Sequence, residues 1–189
     1  IACSYNNKLY IFGGYDGTNY YNDLWEYNPS TNAWQQIFPS GTLPNQRSDH
    51  FAVVHNGELY ISGGTYNNGT TQIYYSDIVK YSFATNQWST VTTALPSSRA
   101  SATMNVSGNK LYIFGGYNGT NYYNDFIVYN LSSNNISSIS TFLPPISDHT
   151  SLCIYEKLYI FGGYSSTTGY SRNFLIYDIP TNTWKDITT

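Results

Sequence analysis

The chain is predicted to be all-β, a β-propeller assembled from repeated sheet modules, and three observations carry that prediction. Glycine pairs recur at Gly13-Gly14, Gly63-Gly64, Gly115-Gly116 and Gly162-Gly163, a period of about 50 residues, the range of propeller blades. Each pair follows a short apolar run such as Leu111-Tyr112-Ile113-Phe114. Downstream, a tyrosine is followed seven residues later by a large apolar side chain: Tyr27/Trp34, Tyr81/Trp88, Tyr129/Ile136 and Tyr177/Trp184. Modules of this kind cannot bury both faces alone and do so against their neighbours.

The first module (1–38) opens with Ile1 to Tyr5 as strand a. It turns at Asn6-Asn7, continues as Leu9 to Phe12 (b) and Leu24 to Tyr27 (c), and ends with Trp34 to Ile37 (d). The second (50–92) uses Phe51 to Val54, Leu59 to Ile61, Ile78 to Tyr81 and Trp88 to Val91, with Asn56-Gly57 as its hairpin signal. The third (102–140) uses Ala102 to Val106, Leu111 to Phe114, Phe126 to Tyr129 and a weaker last strand from Ile136 to Ile139. The fourth (149–188) uses Ser151 to Ile154, Leu158 to Phe161, Phe174 to Tyr177 and Trp184 to Ile187. The b strands are continuous apolar runs, as a sheet covered on both faces requires.

Leu-Tyr-Ile-(Phe/Ser)-Gly-Gly followed by the spaced Tyr and Trp resembles the kelch repeat, over essentially the whole chain. The resemblance implies a propeller whose blades are four-stranded antiparallel sheets. It implies no activity by itself. The glycine pairs are then structural, set where blades approach closely or where φ is positive. Trp34, Trp88 and Trp184 are expected to be mostly buried. With Tyr27, Tyr81, Tyr129 and Tyr177 they are core rings whose polar tips reach backbone partners. Each glycine pair is expected to end strand b. The chain opens at Ile1 inside a strand and holds four whole modules with no spare strand. It reads as an open arc of a six- or seven-bladed ring, with further blades or domains in the same polypeptide. In such an arc Cys3 and Cys153 lie too far apart for a disulfide. Their repeat offsets differ by one, so they should point to opposite sheet faces, as small buried hydrophobes.

Charged residues make up 10% of the chain and net charge is −3, so the clustered Lys/Arg footprint of a nucleic-acid binder is missing. No apolar run is long enough to span a membrane, and no targeting signal fixes a cytoplasmic or extracellular location. Five sequons, at Asn68, Asn105, Asn118, Asn130 and Asn135, are the number that chance predicts from the Asn, Ser and Thr content. His50 and His149 each end a Ser-Asp-His triplet, and three consecutive residues cannot adopt triad geometry. Asp23, Asp77 and Asp125, with Asn173 in the fourth copy, are in register and so are expected to bond loop backbone rather than converge on a metal. No catalytic residue, metal or cofactor is assigned.

In an a-b-c-d meander the b–c and d–a connections share one end, and here they are the long ones, the usual place for binding. The b–c loops carry Tyr15, Asn19, Tyr20, Tyr66, Tyr117, Asn121, Tyr122, Tyr164 and Arg172 among Gly and Asn, a chemistry that suits protein or peptide contact. Leu43-Pro44-Asn45-Gln46-Arg47 is echoed by Leu95-Pro96-Ser97-Ser98-Arg99, and the resemblance implies that this arginine faces the binding surface. An arginine tied to the neighbouring blade is the alternative. In the third copy Ile146 takes its place. The expected function is a non-catalytic protein- or peptide-binding scaffold. The alternative is an extracellular carbohydrate-binding or carbohydrate-active propeller, because tyrosines beside Asn amides also suit sugars.

Overall fold

A computed structural model describes residues 1–91 and 93–188; Thr92, expected to close the second module, and Thr189 lie outside them. The chain divides into two compact units, Ile1–Ala100 and Ser101–Thr189. In the first, Ala2–Tyr5, Lys8–Tyr15, Tyr20–Asn28 and Ala33–Ile37 pair in chain order as an antiparallel meander. Phe51–His55, Glu58–Ser62, Ile78–Ser82 and Gln87–Thr90 form a second meander, and Ser40–Gly41 of the preceding linker adds to its outer strand in parallel. The second unit holds Thr103–Ser107, Lys110–Phe114, Phe126–Asn130 and Asn135–Ile139, then Thr150–Ile154, Lys157–Phe161, Phe174–Asp178 and Thr183–Asp186. Among the described residues there is no helix, hence none long and apolar enough to cross a membrane.

The short turns follow their residues. Asn6 and Asn7 both adopt positive φ, as do Asn56 and Gly57, which is the twist that a two-residue hairpin needs. In every c–d turn an asparagine in the left-handed region accepts the phenol hydroxyl of the strand-c tyrosine: Tyr27 to Asn32, Tyr81 to Asn86, Tyr129 to Asn134 and Tyr177 to Asn182. The partner is therefore an amide side chain, not the expected backbone group. It recurs because Asn tolerates positive φ and offers an acceptor from the same position.

Each unit buries one face between its two sheets. In the first, Tyr10, Phe12 and Leu24 meet Leu59, Ile61, Val79, Tyr81 and Trp88, with the Phe12 and Trp88 rings 5.2 Å apart at a steep angle. In the second, Phe114 and Phe126 meet Leu158, Tyr177 and the half-buried Trp184. The strand-d tryptophan thus packs on the module before its own. That corrects the expectation for Trp34, which is 52% exposed: in the first unit its face lies against no earlier sheet. The indole N–H groups of Trp88 and Trp184 are buried without a hydrogen-bond partner, so the expected backbone contact is absent there too.

In the second, third and fourth modules strand b stops just before its glycine pair. In the first it runs through Gly13-Gly14 to Tyr15, with a register shift between Phe12 and Gly14, so this pair forms a bulge and not an end. Gly13 shows why a side chain is excluded. At φ +56, a Cβ there would lie 2.9 Å from the Arg47 carbonyl oxygen and 3.0 Å from that of Tyr21. Both cysteines are free and half-buried, and burial pushes both thiols up. Cys3 packs on the inter-sheet core of the first unit and Cys153 on that of the second, on opposite faces of their own sheets.

Candidate functional site

The b–c loops are built on one local device. The Asp16 carboxylate accepts the N–H groups of Thr18 (2.8 Å) and Asn19 (2.7 Å) and the Tyr21 hydroxyl (2.6 Å). The Asn19 and Tyr21 bonds lead in holding its carboxyl down at about 2. Asn118 repeats the turn by accepting from Thr120 and Asn121, and Asn68 by accepting from Thr70 and Thr71. A short Asx side chain that bonds the backbone two and three residues on makes a compact, self-supporting loop tip.

This device fixes where the tyrosines stand. Tyr15 and Tyr20 lie 4.5 Å apart, and Tyr20 meets Tyr66 of the next sheet at 5.3 Å. The second unit repeats the cluster: Tyr117 and Tyr122 are 4.5 Å apart, and Tyr122 meets Tyr164 at 5.8 Å. Tyr66 stands two residues after its glycine pair and Tyr164 one, so the two reach equivalent places from different repeat positions. Beside the first cluster a cleft of about 520 Å³ is lined by Thr18, Asn19, Tyr20, Tyr21, Gln46, Tyr66, Asn67, Asn68 and Gly69. Gln46, Asn67 and Asn68 escaped the repeat pattern because these positions vary between copies. The echo of Asp16-Gly17-Thr18 in Asn68-Gly69-Thr70 was the available signal. Asn121 is exposed on its loop tip, and Arg172 is exposed but lines none of these clefts.

Arg47 and Arg99 require a correction: both are fully buried and present no basic group to a ligand. The Arg47 guanidinium makes a bidentate pair with Asp77, both bonds 2.7 Å, donates to the Gly63 carbonyl at 2.9 Å, and lies 4.3 Å from the Tyr75 ring centroid. The linker is thereby clamped to the sheet that follows it. Asp77 accordingly bonds a side chain, not loop backbone, and so does Asp23, which accepts the Trp25 indole N–H at 2.7 Å. In the fourth module Ile146 stands where Arg47 stands and Asn173 where Asp77 stands. The loss of both partners together leaves no buried charge without its counter-ion.

The histidines do no acid–base work with their triplets. Ser48 donates directly to Asp49, and neither ring nitrogen of His50 has a partner. His149 shares a 2.9 Å bond with Thr103 through Nε2. Burial holds both imidazoles neutral, His149 down at about 4. Among the described residues no group of three His, Cys, Asp or Glu could hold a metal ion.

Family models match this architecture over the whole length: the "KLHDC2/KLHL20/DRC7 Kelch-repeats domain" over residues 1–95 and the "Attractin/LZTR1 beta-propeller" over residues 59–189. The chain belongs to the kelch-repeat β-propeller family. Kelch domain-containing protein 10 of Bos taurus is 34% identical over 126 residues, covering 60% of this chain and 27% of that protein. Kelch-like protein 41b of Danio rerio is 30% identical over 115 residues, 60% of this chain and 18% of that protein. The Leucine-zipper-like transcriptional regulator 1 homolog of Drosophila melanogaster is 28% identical over 121 residues, 61% of this chain and 12% of that protein. The chain thus spans little more than a quarter of the length of the first of these relatives. Kelch propellers as a family are protein-interaction scaffolds and generally non-catalytic.

Proposed function

We propose that these kelch blades bind a protein or peptide through the b–c loop end, with the tyrosine clusters as anchors. The observation that carries this is the repeated cluster of Tyr15, Tyr20 and Tyr66 in one unit and Tyr117, Tyr122 and Tyr164 in the other, each placed on a loop that hydrogen bonds hold in shape. Tyrosine offers a large contact area at low cost in side-chain entropy, and the neighbouring amides adapt their hydrogen bonds to the partner. Arg47 serves this surface from inside, by clamping its linker to the sheet that follows.

The amide lining of the first cleft, Asn19, Gln46, Asn67 and Asn68 between tyrosines, also suits a sugar, and it keeps a carbohydrate-binding reading alive. One experiment separates the two. The chain is presented to a displayed peptide library and to a glycan array, with Tyr20→Ala and Tyr66→Ala as controls. Peptide ligands whose binding falls at least tenfold in both variants, at unchanged unfolding temperature, are expected. Hits among glycans alone would overturn the reading.

A further inference from the structure

The second unit carries a recess that the repeat pattern does not explain. About 400 Å³ in volume, it is lined by Asp148, Gly163, Tyr164, Tyr170 and Ser171. Tyr170 stands opposite Tyr164 on the short ribbon of Tyr164–Ser165 and Gly169–Tyr170, with the ring centroids 5.2 Å apart at 67°. It is 91% exposed, so packing does not account for it. Tyr164 also meets Tyr122, with the ring centroids 5.8 Å apart. Gly163 lines the recess where no side chain fits, since a Cβ there would come within 2.7 Å of the Ser147 carbonyl oxygen and 2.8 Å of the Ile146 side chain.

Asp148 supplies the charge. Its own N–H donates to the Ser101 carbonyl at 3.0 Å and its carboxylate accepts the Ser147 hydroxyl, which fixes it in the left-handed region with its side chain exposed. Its neighbour His149 points into the core and is held neutral by burial. Arg172, the nearby cation in sequence, is not among the residues lining the recess. Aromatic faces beside one carboxylate attract a cation: the ring quadrupole and the fixed charge act in the same direction.

We propose that this recess receives the ammonium or alkylammonium end of a lysine side chain of a bound peptide, with Tyr164 and Tyr170 as the aromatic walls and Asp148 as the counter-charge. This rests on the peptide-binding reading above and gives it a ligand class. The first unit provides an internal contrast, because its cleft is lined by amides and hydroxyls with no carboxylate.

The test titrates the whole chain with three capped peptides that differ at one position: lysine, Nε-trimethyllysine and the neutral isostere norleucine. The two cationic peptides are expected to bind about tenfold more tightly than the norleucine peptide, the scale of a well-formed cation–π contact plus its counter-ion. Asp148→Asn should erase most of that preference and leave norleucine binding unchanged. Tyr170→Ala should weaken the cationic peptides without shifting the unfolding temperature, since its ring is exposed. Equal binding of all three peptides, or a preference that survives Asp148→Asn, would overturn the proposal. Library peptides that bind through Tyr20 and Tyr66 but show no cation preference would sink this inference and leave the scaffold reading standing.

Discussion

Trp34 and Trp88 occupy the same place in their repeats, seven residues after a strand-c tyrosine, yet one is 52% exposed and the other 1%. Their own blades treat them alike: Tyr27 and Trp34 rings lie 4.9 Å apart, Tyr81 and Trp88 rings 5.3 Å. The difference is Phe12, which meets Trp88 from the blade before. The second unit shows the other side of the same rule. Phe114 and Phe126 are covered by Trp184 of the following blade, while Phe161, at the place of Phe114, is 51% exposed. A kelch tryptophan is thus a property of a pair of blades, and its burial cannot be assigned from the blade that carries it.

The largest expected effect follows directly. Trp88→Ala should destabilise the first unit by about 3–5 kcal/mol, the range for deleting a fully buried aromatic ring. Urea unfolding with unchanged m-value measures it. A loss near that of Trp34→Ala would mean that Phe12 does not hold Trp88 in solution.

A second contrast is between the charged clamp, Arg47 with Asp77, and its neutral counterpart, Ile146 with Asn173. Asp77→Asn leaves a buried guanidinium without its carboxylate and should cost about 3 kcal/mol. The double variant Arg47→Ile with Asp77→Asn copies the fourth blade and should recover to within about 1 kcal/mol of the parent, because hydrophobic replacement of a buried pair is often neutral. A double variant as unstable as the single one would show that the linker needs the Gly63 carbonyl bond as well.

The sheets were legible because they rest on short-range chemistry. Asn6-Asn7 and Asn56-Gly57 announce their hairpins, and the glycine pairs mark backbone that passes against another backbone. The tyrosine loops were legible as a surface for the same reason, since Asp16 and Asn118 organise them locally. What stayed hidden depends on residues far apart in sequence. For Arg47 a surface cation and an arginine tied to the neighbouring blade both stay open until Asp77, thirty residues on, is known to face it. The joint replacement by Ile146 and Asn173 was the one trace of that pairing in the sequence. Tyr66 and Tyr164 escaped alignment because a shift of one residue is hidden in loops that tolerate it. The exposure of Trp34 was not legible at all, since nothing in its own repeat determines what covers it.

The two buried histidines predict a pH dependence shared by both units. Burial lowers His50 well below its usual value and His149 to about 4. Between the unfolded value of about 6.5 and the folded one, the unfolded chain binds protons that the folded chain does not. Stability is therefore full above pH 6.5 and falls as pH drops towards 4, by at most about 1.4 kcal/mol per pH unit for each histidine. His149→Gln should flatten its share of the slope in unfolding curves recorded between pH 7 and 4.5. An unchanged slope would place the titration elsewhere.

The smallest expected effect is the one that tests the opening contrast from its weak side. Trp34→Phe keeps a ring on Tyr27 and uncovers nothing, so unfolding should shift by less than about 0.5 kcal/mol, as for surface positions generally. Its value lies in the fluorescence. Of the four indoles, at Trp25, Trp34, Trp88 and Trp184, only Trp34 is exposed, and the others are half-buried or buried. Removing it should delete the emission component that is most red-shifted and most readily quenched by iodide, leaving a bluer and better-protected spectrum. If the lost component is instead blue and protected, another surface covers Trp34 in solution. The first blade would then have a neighbour packed on its open face in the way that the first blade packs on the second.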